Sequence, residues 1–206
     1  MYDFIGKPSF VPAESLTSEQ LHTAIEDLRQ HMEAHGVVLD FCCSYNDVVI
    51  YQFITNEFFA YQMDNIRMED GVHGFNYEEF HPNHDNDLRR FSTDFINDVA
   101  GGKWREYKTY VLSEVVCLHQ KMYTRSRISS IIEIFQEFRS TLALEHLIIQ
   151  NVTIDLESKK AIVRVDIAYS STLPGKKPEI IEGPCIIHFE MSSSGWDIVG
   201  FDIPGL

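Results

Sequence analysis

The sequence predicts an α+β protein, and three observations carry that reading. Apolar residues recur at helical spacing through most of the chain up to Ala100. From Tyr107 the period drops toward two. Between residues 144 and 203, four strand-like runs follow one another with only turn signals between them. Strands in succession, with the helices kept apart, indicate α+β and not a strand–helix–strand parallel sheet.

Residues 1–16 contain Gly6, Pro8 and Pro12 and read as an extended arm. Thr17 can cap a helix, with Gln20 at the capping-box position three residues on. Leu21, Ala24, Ile25, Leu28 and Met32 continue it at helical spacing, and Gly36 stops it. A second helix is expected from Asp47 to Tyr61. Val49, Ile50, Phe53, Ile54, Phe58 and Phe59 cover much of its circumference, so it must be buried on most sides. Asp64 to Gly71 reads as a loop, and Val72 to Phe80 as a strand or extended arm.

Asn83 can cap a third helix whose stripe is Leu88, Phe91, Phe95 and Val99, ending at Gly101-Gly102. Asp85 and Asp87 suit its positive N-terminal end. A strand follows around Val111, Val115 and Cys117, and then a helix over 126–142. The closing strands are expected at about 144–155, 161–170, 179–191 and 196–203. Their turns fall at Glu157-Ser158-Lys159, Pro174-Gly175 and Ser192 to Gly195.

The 206 residues are 44% hydrophobic and 12% aromatic, enough to form a real core. The net charge of −14, from 31 acidic and 17 basic residues, opposes phosphate backbones and anionic membrane surfaces. Nucleic acid and membrane are therefore not expected partners. No basic, apolar and small-residue leader is visible, and no apolar run approaches the roughly 20 residues of a membrane helix. Cys42, Cys43, Cys117 and Cys185 make no CxxC spacing, so reduced, mostly buried thiols in a cytoplasmic protein are expected. The phosphate-loop, dinucleotide-loop and nucleophile-elbow motifs are all missing from the sequence.

From about residue 84, one stretch carries a family resemblance. A helix (NHDNDLRRFSTDFINDV) leads to a strand region (YVLSEVVCLHQKMYTRSR) and an amphipathic helix (ISSIIEIFQEF), and long strands end in GWDIVGFDIPGL. This order resembles the NTF2-like superfamily, which includes SnoaL-like and ketosteroid-isomerase-like proteins. The resemblance implies a curved antiparallel sheet wrapped around helices, forming a cone with an apolar pocket. It also implies frequent dimerisation through the outer sheet face. The expected organisation is a helical extension over 1–80 packing on the core, followed by an NTF2-like domain over 81–206. Members include isomerases, dehydratases, ligand binders and transport adaptors, so function has to be argued from the site.

Three constellations merit attention. Imidazoles and carboxylates gather at His73, Glu78, Glu79, His81, His84 and Asp85, of which His81, His84 and Asp85 are the metal candidates. Against a metal, Pro82-Asn83 separates the two histidines, and the segment reads equally as a polar loop capping a helix. A pocket acid/base group would need a carboxylate or His with a donor beside it. Tyr110, Glu114, His146, Asp166, Tyr169 and His188 are on offer, with Tyr110, His146, Asp166 and His188 as the catalytic candidates. Arg164 and Asp166 share one sheet face, as do His188 and Glu190, which could form a cross-strand polar cluster. The opposite rows, Val163, Val165, Ile167 and Ile187, Phe189, Met191, are apolar and should face the helices, which turns the polar rows outward. Finally, Phe53, Phe58, Phe59, Phe75, Tyr77 and Phe80 could line a cavity or an interface, or simply pack.

The first expectation is a non-catalytic module that needs no cofactor. It would bind a small apolar ligand or a protein partner as a homodimer. The alternatives are an isomerase- or dehydratase-like enzyme using a pocket Asp/His pair, and a metal-dependent activity at His81/His84.

Overall fold

The computed structural model describes residues 9–62 and 71–206, without the side chains of Glu106, Tyr107 and Tyr110. Gly6, Pro8 and the expected loop at Asp64 to Gly71, apart from Gly71 itself, lie outside the described residues. The chain divides into two compact units, Met1–Asn83 and His84–Leu206. Each has its own apolar core.

In the first unit, helix α1 (Ser18–Ala34) starts as its sequence requires. The Thr17 hydroxyl accepts from the Gln20 N–H at 3.3 Å, and the Gln20 side chain accepts from the Thr17 N–H at 2.9 Å. Leu21, Ile25, Leu28 and Met32 form its buried stripe. Strand β1 (Val37–Asp40) pairs in parallel with β2 (His73–Asn76), so the expected strand over 72–80 is only its first half. Its second half turns into the short helix α3 (Tyr77–Phe80).

The second expected helix is helical as far as Phe58, but in two forms. Helix α2 (Asp47–Gln52) continues as a π-helical segment over Phe53–Phe58, closed by the Phe59 N–H donating to the Ile54 carbonyl at 3.1 Å. The apolar pairs Phe53/Phe58 and Ile54/Phe59 are five residues apart. A π turn stacks such pairs over one another, where an α-helix would splay them. All four are buried, at 0–2% exposure. At about 1.5–3 kcal/mol for each such side chain, this burial offsets the poorer geometry of the wide turn.

In the second unit, helix α4 (His84–Ala100) buries Leu88, Ser92, Phe95, Ile96 and Val99. A 3₁₀ segment (Glu106–Val111) leads into β3 (Leu112–Leu118), then β4 (Lys121–Thr124) and helix α5 (Arg125–Glu137). Strands β5 (Thr141–Asp155), β6 (Lys160–Thr172), β7 (Glu179–Ser192) and β8 (Gly195–Asp202) complete it. The sheet order is β4-β3-β8-β7-β6-β5. Strands β5 to β8 form the expected antiparallel meander, and β3 lies parallel to β8. The sheet is curved. Register shifts at Leu144/His146 and Ile149/Asn151 in β5, and at His188/Phe189 in β7, supply local bends.

Alternation decides which face is the core. Val163, Val165, Ile167 and Tyr169 of β6 and Cys185, Ile187 and Phe189 of β7 are at most 1% exposed. They pack with α4 and with Ile128, Ile132 and Phe135 of α5. The final turn is tied to this core. Buried Tyr169 donates its hydroxyl to the Pro204 carbonyl at 2.6 Å, and burial pushes its pKa up to about 12. Gly205, at φ +81°, follows so closely that a Cβ there would lie 2.7 Å from the Tyr169 hydroxyl.

The four thiols are free, but only Cys185 is buried, with its pKa pushed up to about 12 by desolvation. Cys42 is exposed and Cys43 and Cys117 are half-buried, which corrects the expectation of mostly buried cysteines. Among the described residues, no helix is long and apolar enough to cross a membrane.

One core position goes against the pattern. The Ser92 hydroxyl is fully buried in the inward stripe of α4 and has no hydrogen-bond partner among the described residues. A buried hydroxyl left unpaired costs about 1–3 kcal/mol in lost solvation. Ser92→Ala is therefore expected to stabilise the protein by about 1 kcal/mol in denaturant unfolding. A loss of stability would show that the hydroxyl has a role in the fold.

Candidate functional site

The surface best suited to a ligand lies in the second unit, where α4, the 3₁₀ segment and the β7–β8 hairpin meet. A cavity of ≈ 340 Å³ is lined by Phe91, Val111, Phe189, Trp196 and Ile198, with Ser194 and Gly195 of the hairpin turn and one carboxylate, Asp197. Phe189 and Ile198 form its floor, at 1% exposure each. A second hollow of ≈ 290 Å³ shares Phe91 and Val111 and adds Arg90, Asp94, Phe95, Asp98, Trp104 and Lys108. Helical geometry explains the mixture. Positions 91, 94, 95 and 98 fall on one face of α4, so two aromatic rings and two carboxylates share a stripe.

Both tryptophans of the chain border this region, and the N–H of each is already used. Trp104 Nε1 donates to Ser129 Oγ at 3.0 Å, and Ser129 in turn donates to Glu133 Oε1 at 3.1 Å. Trp196 Nε1 donates to His84 Nδ1 at 3.3 Å, with the two rings edge to face at 5.7 Å. The indoles therefore present apolar surface to the cavity and no free donor. Around the rim, Lys108 pairs with Asp98, and Arg90 sits 3.5 Å from Asp87.

The residues singled out from the sequence lie elsewhere. His146, Asp166 and His188 are exposed on the outer face of the sheet, opposite the buried rows. Asp166 accepts from Gln150 Nε2 at 2.8 Å. The register does not build the anticipated cross-strand cluster. Arg164 stands opposite Ile186, Asp166 opposite Pro184, and His188 opposite Ile162. Glu114 is exposed and meets Arg125 at 3.1 Å, while Tyr169 is committed to Pro204. The side chain of Tyr110 lies outside the described residues.

The three metal candidates each hold a different partner. His81 Nε2 meets Glu57 at 2.7 Å, His84 Nδ1 accepts from Trp196, and Asp85 pairs with Arg89 at 2.6 Å. Among the described residues, no group of three or more His, Cys, Asp or Glu could hold a metal ion. The six aromatics of the first unit pack into its core, with Phe58 meeting Phe75 at 5.2 Å and Phe53 meeting Tyr77 at 4.8 Å.

His84–Leu206 is an α+β unit, a curved, mostly antiparallel six-stranded sheet with two helices against its inner face, in the element order that the sequence led one to expect. No protein-family model and no curated protein matches the sequence. Similar solved structures include a conserved protein of Planctomyces limnophilus, 14% identical with a TM-score of 0.45, over 59% of this chain and 98% of that one. A protein of Kribbella flavida is 14% identical with a TM-score of 0.47, over 60% and 91%. An NTF2-like protein of Cytophaga hutchinsonii is 8% identical with a TM-score of 0.42, over 58% and 96%.

The first unit contains one concentrated polar network. The Glu78 carboxylate accepts from the Cys42 N–H at 3.0 Å, the Cys43 N–H at 3.1 Å and the Tyr45 hydroxyl at 2.9 Å. Burial works to raise the Glu78 pKa, but these donors and its own N–H outweigh it and hold the carboxyl below its ordinary range. Tyr45 is raised, chiefly by burial. The network joins the Cys42-Cys43 segment to α3, so it reads as a structural clasp. Because the folded pKa of Glu78 is lowered, its stabilisation is present above the ordinary value of 4.5 and disappears as pH falls through the folded value. Glu78→Gln is expected to be less stable than the native protein at neutral pH. In denaturant unfolding the gap should close in acid. A gap independent of pH would remove the ionised carboxylate from the account.

Proposed function

We propose that this protein is a non-catalytic binding module that holds a small apolar ligand in the cleft between α4 and the β7–β8 hairpin. One observation carries the reading. The cavity has a buried apolar floor, Phe189 and Ile198, and aromatic walls whose only polar hydrogens are already bonded. Such a site rewards apolar surface and offers few points for proton transfer. The outward placement of His146, Asp166 and His188 supports the same reading. Exposed apolar side chains on the outer sheet face, Met122 at 64%, Ile148 at 54% and Ile180 at 68%, suit self-association there as a homodimer.

The test is a titration with naphthalene, a neutral apolar probe, followed by tryptophan fluorescence. Trp104 and Trp196 both border the site, so a saturable change is expected. Val111→Phe, which fills the cavity, should weaken binding roughly tenfold, the equivalent of several tens of Å² of lost apolar contact. Sedimentation of the same samples should show a dimer that the probe leaves intact. A linear, non-saturating response in the native protein would sink the ligand reading, and a monomer at every concentration would sink the self-association.

A further inference from the structure

We infer that the natural ligand of this cleft is cationic: an apolar body carrying an ammonium or amidinium group, with the positive charge held by Asp197 and Asp94, the lining carboxylates that have no ion-pair partner among the described residues. The inference rests on the binding reading above and adds the chemical class of the ligand.

Asp94 lines the second hollow, which shares Phe91 and Val111 with the cleft, and lies on α4 one turn from Phe91 and beside Phe95. Asp197, half-buried on the hairpin side of the cleft, likewise has no ion-pair partner among the described residues, whereas Asp98 is matched by Lys108 and Arg90 by Asp87. Among the described residues, Asp94 has no ion-pair partner and is exposed, so its carboxylate is open to an incoming cation. Among the described residues, the two cations of the lining, Arg90 and Lys108, each sit beside a carboxylate, so an anionic ligand meets no comparable anchor. The two indole N–H groups are bonded to Ser129 and His84, and the Ser194 N–H donates to Ser192 Oγ at 3.2 Å.

The aromatic walls favour the same sign. The faces of Phe and Trp rings carry negative potential and attract cations. The cleft already shows this preference within the chain, since the Arg90 guanidinium lies over the Phe91 ring at 5.3 Å. At longer range, the net charge of −14 draws cations and repels anions. The unmatched carboxylates, the ring faces and the net charge thus point the same way, while the floor selects for apolar bulk.

The experiment compares three probes with one apolar body: 1-adamantanemethylammonium, 1-adamantanemethanol and 1-adamantanecarboxylate. Each is titrated into the full chain at low ionic strength and followed by tryptophan fluorescence. The ammonium should bind about three- to tenfold more tightly than the alcohol, with the carboxylate weakest, and added salt should shrink the spread. Asp94→Asn and Asp197→Asn should each lower the alcohol-to-ammonium Kd ratio, and the double variant should bring it close to one. If the alcohol binds as well as the ammonium to the native protein, the charge inference is overturned and the apolar reading survives. If no probe binds, both fall. An ammonium preference that persists in the double variant would overturn the assignment to Asp94 and Asp197.

Discussion

The alternation of β6 from Val163 to Ile167, and of β7 from Cys185 to Phe189, is the constraint on which the rest of the second unit depends. A period of two leaves a strand no freedom once one face is buried, because a one-residue slip would expose the whole apolar row. Val163, Val165 and Ile167 face inward with Ile187 and Phe189, and the helices α4 and α5 close over them. Arg164, Asp166, His188 and Glu190 are thereby turned outward together. The same alternation that makes the core thus takes the most obvious acid/base side chains away from the inner face of the sheet.

What remains where α4 meets the β7–β8 hairpin is an apolar cleft whose indole hydrogen bonds are already made. The pairing of Trp104 with Ser129 and of Trp196 with His84 is a fold-level requirement, since a buried indole N–H without a partner is costly. Its functional effect is to leave ring surface as the lining. The paired charges on α4 and the 3₁₀ segment follow the same logic. Among the described lining residues, Asp94 and Asp197 stand outside it, which gives an otherwise apolar site its negative charge.

Much of the fold was legible in the sequence, and the reasons are local. The capping box at Thr17 and Gln20, the Leu88 to Val99 stripe, the turn at Ser192 to Gly195 and the alternation of the long strands all act over a few residues. The parts that escaped notice lack such local signals. Strand β4 follows a turn made by His119 and Gln120, both at positive φ, where no Gly or Asn marks the bend. Strand β1 is only four residues long. The π-helical turn was written in the five-residue spacing of Phe53/Phe58 and Ile54/Phe59, but its apolar coverage also fits a buried α-helix. The cleft was the least legible feature, because Phe91, Val111, Phe189 and Trp196 come from distant segments that only the sheet order brings together. The two tryptophans were the one sequence signal that bordered it.

The most direct test of this account is the denaturant unfolding midpoint of two neighbouring variants, Val165→Asp and Asp166→Val. The account places Val165 in the core and Asp166 on the outer face. Val165→Asp should lower stability by several kcal/mol, about what an unpaired buried charge costs, and Asp166→Val should change it by less than about 1 kcal/mol. Similar losses in both variants, or a larger loss for Asp166→Val, would contradict the inward and outward assignment from which the cleft and its chemistry follow.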